Sequence, residues 1–380
     1  MNLDFTEEQE MLRTMARDFG QKECPKTVVK ELEESELGYS PEMWKKMAEL
    51  GWLGLVFPEK YGGTDGTFMD LMVIAEEMGR NILPTPFFST VIACGLPILA
   101  EGTDAQKDEY LPKIAEGNMI FALALIEPNG TYHATSVQVT ATADGDDYVI
   151  NGTKLFVADA NVANRLLVVA RTKDSANPKE GITLFIVDAK SDGITCNVVR
   201  TIGLDNQCEV VFHNVKVSKD SVLGQVDQGW SIVENMLLRA ALTKCAEISG
   251  GAQACLEMTN AYVKDRVQYG MPIGANQAIW HFMADMWINT DTIRNISYEA
   301  AWNLQEGFPI AKRMVAASKA YASDTYKKIT DVAVHTHGAI GTTRDHDIGL
   351  YYRRAKAAEL AFGDADYWRE IMAQEIGLVA

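Results

Sequence analysis

Four short stretches of the chain carry residue types and spacings that could do chemistry. The first is Arg266-Val267-Gln268-Tyr269-Gly270, at the end of a long helical pattern. Its guanidinium can give charge-assisted hydrogen bonds to a diphosphate, or it can simply complement the negative end of a helix. The second, Gly338-Ala339-Ile340-Gly341, follows His335 and His337. It lets backbone approach a ligand closely, or it is a plain turn. The third is Glu247, on a helical stripe shared with Thr243, Gly250, Gly251 and Ala254. Those small neighbours leave room for a bulky ligand, and apolar surroundings would make the carboxylate a stronger base. The competing reading pairs Glu247 with a Lys or Arg in a helix interface. The fourth runs from Tyr351 to Gly363 with Arg353, Arg354 and Lys356 inside it. That cluster suits an anionic ligand or a solvated helix face.

These residues need elements to position them. Thr6 before Glu7, Glu8 and Glu10 reads as an N-cap with an acidic first turn, and Met11, Met15 and Phe19 repeat at helical spacing. Helical patterns follow at 41–50, 68–78 and 105–115, so residues 1–118 read as an N-terminal helical domain. From Met119 the period shortens. Thr140–Thr142, Tyr148–Ile150, Leu166–Ala170 and Ile182–Val187 are β-branched or apolar runs between Asp, Gly and Asn turns, which predicts a small β domain over 119–224. Long helical patterns return over 225–380, broken chiefly at 270–274 and 338–342.

Composition narrows the class of function. With 380 residues and 47% hydrophobic content the chain can bury a large core in two or three domains. A formal net charge of −17 argues against nucleic-acid binding, so an anionic substrate must be met by local positive groups. The start, Met1-Asn2-Leu3-Asp4-Phe5, lacks the pattern of a signal peptide, and no apolar run approaches membrane-spanning length. A cytoplasmic protein without membrane insertion is expected. The six cysteines are scattered without a C-x-x-C pair, which reads as reduced, buried thiols. His335 and His337 lack the spacing and nearby carboxylates of a zinc site, so no metal is expected.

Six motifs together carry a resemblance. They are Tyr61-Gly62-Gly63 after Phe57-Pro58-Glu59; Gly102-Thr103 with Gln106-Lys107 and Tyr110-Leu111-Pro112; Glu127-Pro128; Asn151-Gly152-Thr153-Lys154; Arg266 to Gly270; and Gly338 to Gly341. In this order and spacing the chain resembles the acyl-CoA dehydrogenase family over nearly its whole length. The resemblance implies an α+β architecture: an N-terminal helical domain, a central small β-barrel-like domain and a C-terminal four-helix bundle. It also implies FAD, held between the β domain and the C-terminal helices and closed over by a second subunit of a homo- or heterotetramer.

The resemblance assigns cofactor contacts to Arg266, Gln268 and Tyr269 in one chain, and to His335, Gly338 and Ala339 approaching from another. Ile126, Phe156, Ala158 and Asp364 fall at further flavin positions. Here the chain departs from the pattern. Ile126 and Ala158 replace hydroxyl residues, Phe156 replaces Trp, and Asn129-Gly130-Thr131-Tyr132 stands where the family reads Gly-Ala-Gly-Ser. Phe156 can still pack on an isoalloxazine face, while lost polar contacts fall to backbone groups or to Asp159 and Asn161.

Removing an α-proton from an acyl thioester while hydride leaves Cβ needs a carboxylate near Cα. The common family position, just before Gly363, is Phe362, and the alternative position is Ala240. Both lack an acid. Glu247 lies seven residues beyond Ala240, nearly two helical turns and about 10 Å along the axis, and is the candidate base. Ala240, Thr243 and Gly363 are the candidate substrate contacts. The backbone N–H of Phe362 can still hold the thioester oxygen. The reading is an FAD-dependent enzyme that desaturates an acyl-CoA, whose acyl group could be bulky, branched or cyclic, and passes electrons to an electron-transferring flavoprotein. A non-catalytic or half-site subunit of a heteromeric dehydrogenase, and an oxidase, reductase or monooxygenase on the same fold, remain the alternatives.

Overall fold

The structure, a computed structural model, describes residues 5–379. Helix α1 (Glu7–Glu23) starts from a capping box in which Thr6 and Gln9 satisfy each other's backbone N–H groups. After α2 (Lys26–Glu34) and α3 (Pro41–Glu49) come α4 (Phe68–Asn81), α5 (Leu96–Glu101) and α6 (Asp104–Ala115). The same cap recurs at α4 with Thr67 and Asp70, and at α6 with Thr103 and Gln106. A π-helical segment, Phe88–Gly95, precedes α5. The Gln106 amide also donates to the carbonyls of Asp220 and Val222, fastening α6 to the end of the β region.

The middle region is one eight-stranded sheet: β1 (Phe121–Ala124), β2 (Thr140–Asp144), β3 (Asp147–Ala158), β4 (Arg165–Arg171), β5 (Ile182–Asp188), β6 (Ile194–Val199), β7 (Gln207–Val217) and β8 (Val222–Leu223). The order is β6-β7-β3-β2-β4-β5-β8, with β1 parallel to β4. Asp144 pairs with Asp147 across a two-residue turn, and Gly145 supplies its positive φ of 68°. Leu166–Ala170 is buried on both faces, which explains why it reads as an unbroken apolar run rather than an alternating one. Edge strand β6 carries Cys196, an exposed thiol, whereas the other five cysteines are buried.

Glu127 joins two of the sequence motifs. Its buried carboxylate accepts from Lys154 at 2.7 Å and from the N–H groups of Gln138 and Val139. Burial pushes the Lys154 amine down to about 8, and the Glu127 charge opposes that fall.

The C-terminal region is helical: α7 (Trp230–Asp265), a small hairpin of β9 (Val267–Gln268) and β10 (Met271–Pro272), α8 (Gln277–Gln305), α9 (Ala311–His337), α10 (Ile348–Leu360) and α11 (Ala365–Glu375). Helix α9 packs against α7, α8, α10 and α11. Helix α7 also packs on α4 of the N-terminal region, at very close range. A Cβ on Gly79 would sit 1.9 Å from the Glu247 carbonyl oxygen, and one on Gly250 would sit 1.7 Å from that of Glu76. Only glycine allows this crossing. No helix among the described residues is long and apolar enough to cross a membrane.

Candidate active site

A cavity of about 690 Å³ lies where the three regions meet, within the size range of small-molecule sites. Its walls come from α4, the π-helical segment, the sheet, α7 and the connection from α10 to α11.

That connection is held from several sides. Phe362 is left-handed, with φ 57°, and Gly363 follows at φ 96°. The Phe362 carbonyl accepts from the Trp368 indole at 2.9 Å. The Gly363 carbonyl accepts from the buried ammonium of Lys319, also at 2.9 Å. Lys319 donates in addition to the carbonyls of Ala358 and Glu359, the open end of α10. Asp364 caps α11 by accepting from the N–H of Tyr367. The Phe362 ring stacks on Phe88, with centroids 5.2 Å apart, and the Lys244 ammonium lies 4.1 Å from the Phe88 centroid.

The Phe362 N–H is already engaged. It donates to the hydroxyl of Tyr132 at 2.9 Å. Sequence reasoning reserves that N–H for a thioester oxygen and overlooks Tyr132, although its position, where the family pattern has Ser, was visible.

Glu247 lines the cavity with its neighbours Lys244 and Ile248. Its carboxylate accepts from Lys244 at 2.5 Å, one turn back on the same helix. Thus it is both cavity-facing and ion-paired, and the partner is on its own helix rather than across an interface. Ala240 and Thr243 do not join it. Both are fully buried in helix packing, and the Thr243 hydroxyl donates to the Arg239 carbonyl. Nor do the small neighbours open space: Gly250 accommodates α4, and a Cβ on Gly251 would lie 2.2 Å from the Tyr326 hydroxyl. The cavity meets α7 over Lys244–Ile248, and the rest of the stripe serves helix contact.

Of the expected flavin positions, Ile126, Phe156, Ala158 and Asp364 line the cavity. Phe156 has φ 51° and leaves 48% of its surface open, an aromatic wall that suits a planar fused ring. Beside it Asp159 is held by the Ser89 hydroxyl at 2.6 Å and by the Asn206 amide. Burial pushes the Asp159 carboxyl up to about 6, and the Ser89 hydrogen bond restrains the rise. Asn161 is used otherwise, accepting from Asn206 and donating to the Glu36 carbonyl.

Arg266, Gln268, Tyr269, His335, Gly338 and Ala339 lie outside the cavity, exposed. The helix ends that carry them are tied together by Tyr262, which stacks on His337 and donates to its carbonyl. Arg266 has no ion-pair partner among the described residues. A guanidinium on an exposed helix end has the chemistry to meet a diphosphate such as that of FAD, and the Phe156 wall has the shape to pack on a fused ring system. The cluster Arg353, Arg354 and Lys356 is partly compensated. Both arginines pair with the buried Glu33, and Lys356 pairs with Glu359. Arg354 and Lys356 line the cavity and Arg353 does not.

Known proteins share this architecture. The acyl-CoA dehydrogenase N-terminal, middle and C-terminal domains match residues 6–118, 122–215 and 227–377. Acryloyl-CoA reductase (NADH) of Anaerotignum propionicum is 30% identical over 99% of this chain and 96% of its own length. Subunit CarC of the caffeyl-CoA reductase-Etf complex of Acetobacterium woodii is 32% identical over 92% of this chain and 93% of its own. Among solved structures, butyryl-CoA dehydrogenase from Megasphaera elsdenii superposes with a TM-score of 0.91 at 30% identity, covering 99% of this chain and 100% of the other. The chain belongs to the acyl-CoA dehydrogenase family and is an FAD-dependent oxidoreductase of acyl-CoA thioesters.

Proposed function

We propose that this chain moves hydrogen at Cα and Cβ of an acyl-CoA bound in the cavity, with Glu247 as the group that accepts or returns the α-proton. The observation that carries this reading is that Glu247 lines the same cavity as Phe362 and Phe156. When bound, FAD supplies the acceptor for the hydride from Cβ. Lys244 orients the Glu247 carboxylate, and the apolar wall of Met78, Ile82, Leu83 and Ile248 excludes water around the acyl group. That wall, rather than the small residues of α7, supports a bulky, branched or cyclic acyl group. The same groups serve desaturation and its reverse, so the electron partner sets the direction. An electron-transferring flavoprotein is the proposed partner, in keeping with the Etf complex of the Acetobacterium relative. A homo- or heterotetramer is the proposed assembly, because Arg266 and the turn after His335 are exposed, away from the cavity.

Anaerobic mixing of the FAD-loaded protein with butyryl-, cyclohexanecarboxyl- and phenylpropionyl-CoA tests the reading. At least one of the bulky thioesters should bleach the flavin faster than butyryl-CoA does. Glu247→Gln should slow that bleaching about 100- to 10,000-fold at unchanged FAD content. Bleaching at the wild-type rate in the variant would remove Glu247 as base. It would favour a half-site subunit whose partner holds the acid.

A further inference from the structure

We propose that the phenol of Tyr132 is the catalytic hydrogen-bond donor to the thioester oxygen, standing between the substrate and the Phe362 N–H. The inference rests on the acyl-CoA reading above and names a residue that the reading does not need.

The hydrogen-bond inventory of Tyr132 is unbalanced. A phenol can accept and donate. Its oxygen accepts from the Phe362 N–H at 2.9 Å and faces the N–H of Gly363 as well. Its own hydrogen finds no acceptor among the described residues, and the residue lines the cavity. A donor in a cavity wall with no protein acceptor marks a place where a ligand's acceptor fits. Burial also pushes the Tyr132 hydroxyl well above its ordinary range, so the proton stays on it and remains available to donate.

The phenol cannot easily leave this place. Its loop is fixed by the Asn129 amide, which donates to the Ser136 carbonyl at 2.9 Å, and by the Ser136 hydroxyl, which donates to the His133 carbonyl at 2.6 Å. On the other side, Lys319 and Trp368 fix the turn that presents the Phe362 N–H. Two rigid loops therefore hold the donor in line with a second one, and the accepted N–H bond strengthens the O–H as a donor. Negative charge developing on a thioester oxygen during loss or gain of the α-proton would be met by this pre-set dipole.

The arrangement also shifts the substrate. A thioester oxygen bonded to the phenol instead of to Phe362 lies one hydrogen-bond length further from the turn. Its Cα moves with it, away from residue 362, where the common base would stand. A displaced base and an interposed donor are two parts of one relocation.

The test uses cinnamoyl-CoA as probe, with the FAD-loaded wild type and Tyr132→Phe. Isotope-edited infrared spectroscopy reads the thioester carbonyl stretch, and single-turnover kinetics reads the chemical step with the thioester that bleaches the wild-type flavin. The wild type should lower the carbonyl frequency on binding. Tyr132→Phe should bind the probe with the frequency returned toward its value in solution, and should lose about 100-fold or more in rate. Equal lowering in both proteins overturns the proposal, as does binding to the wild type without any lowering, and both leave the acyl-CoA reading intact. A wild type that fails to bind any of the acyl-CoA compounds overturns that reading and the proposal with it. Where the variant does not fold, the wild-type measurement still overturns the proposal if the bound probe shows no lowering.

Discussion

The Lys319 ammonium donates to the Gly363 carbonyl at 2.9 Å across 44 residues of chain, and the same nitrogen reaches the carbonyls of Ala358 and Glu359. One buried cation therefore terminates α10 and fixes the turn that aims the Phe362 N–H. Its own charge is disfavoured there, since burial pushes the amine down to about 8. The carbonyl oxygens compensate it, and without it those of Ala358 and Gly363 would lose this donor, while that of Glu359 would keep the Ser323 hydroxyl.

Lys319→Met should accordingly destabilise the protein by about 2–4 kcal/mol, because buried carbonyls lose their donor while the side-chain volume is nearly kept. Chemical denaturation measures this. A loss under roughly 0.5 kcal/mol would mean that water replaces the ammonium and that the turn does not depend on it.

Arg266→Ala should weaken FAD binding about 10- to 100-fold and loosen the assembly together with it, since a charge-assisted contact to a diphosphate is removed. Flavin content after gel filtration, read beside native mass, gives both quantities. A monomer with full FAD occupancy would contradict the shared-site reading.

The sequence disclosed local structure well and partnerships poorly. Thr6 announces its helix because a cap is a contact over three residues, and the caps that the structure adds at Thr67 and Thr103 are local in the same way. The hairpin at Asp144–Asp147 is equally local. Ile126, Phe156, Ala158, Asp364, Phe362 and Glu247 meet in one cavity; the family resemblance proposes the first five, and helical spacing from Ala240 proposes Glu247. The stripe Thr243, Gly250, Gly251 on α7 was misleading for a physical reason. Helical spacing says which residues share a face, but a small residue serves close helix packing as well as ligand space, and Gly250 against Glu76 is packing. The contact of Tyr132 with Phe362 spans 230 residues, and no periodicity encodes it. Lys319 carried a faint signal, a charge in the otherwise small or apolar run of Ala316, Ser318 and Ala320.

Asp159 offers a test by pH. Its folded-state carboxyl is raised to about 6 from 3.8, so the native state holds the proton more tightly than the unfolded chain does. The stabilising contribution is complete below the unfolded value and is lost as pH rises through about 6. Asp159→Asn, which cannot ionise, should therefore gain relative to wild type on going from pH 5 to pH 7.5, by roughly 1 kcal/mol. Unfolding measured at both pH values checks the sign, and a difference that is flat across this window would mean that Asp159 is ionised in the folded protein throughout.

Restoring an acid at the common position should fail to restore the common enzyme. In Phe362→Glu the new carboxylate would replace a ring that stacks on Phe88, the ring that the Lys244 ammonium also contacts. The backbone N–H would still be occupied by Tyr132, which keeps a short acyl thioester from seating against residue 362. A well-placed general base contributes about 100- to 10,000-fold, so the rate with butyryl-CoA should rise by less than about tenfold in this variant. Adding Tyr132→Ser, which frees the N–H, should raise it further. A gain of about 100-fold from Phe362→Glu alone would show that the substrate already sits in the common place, and that the relocation of donor and base argued from Tyr132 and Glu247 does not occur.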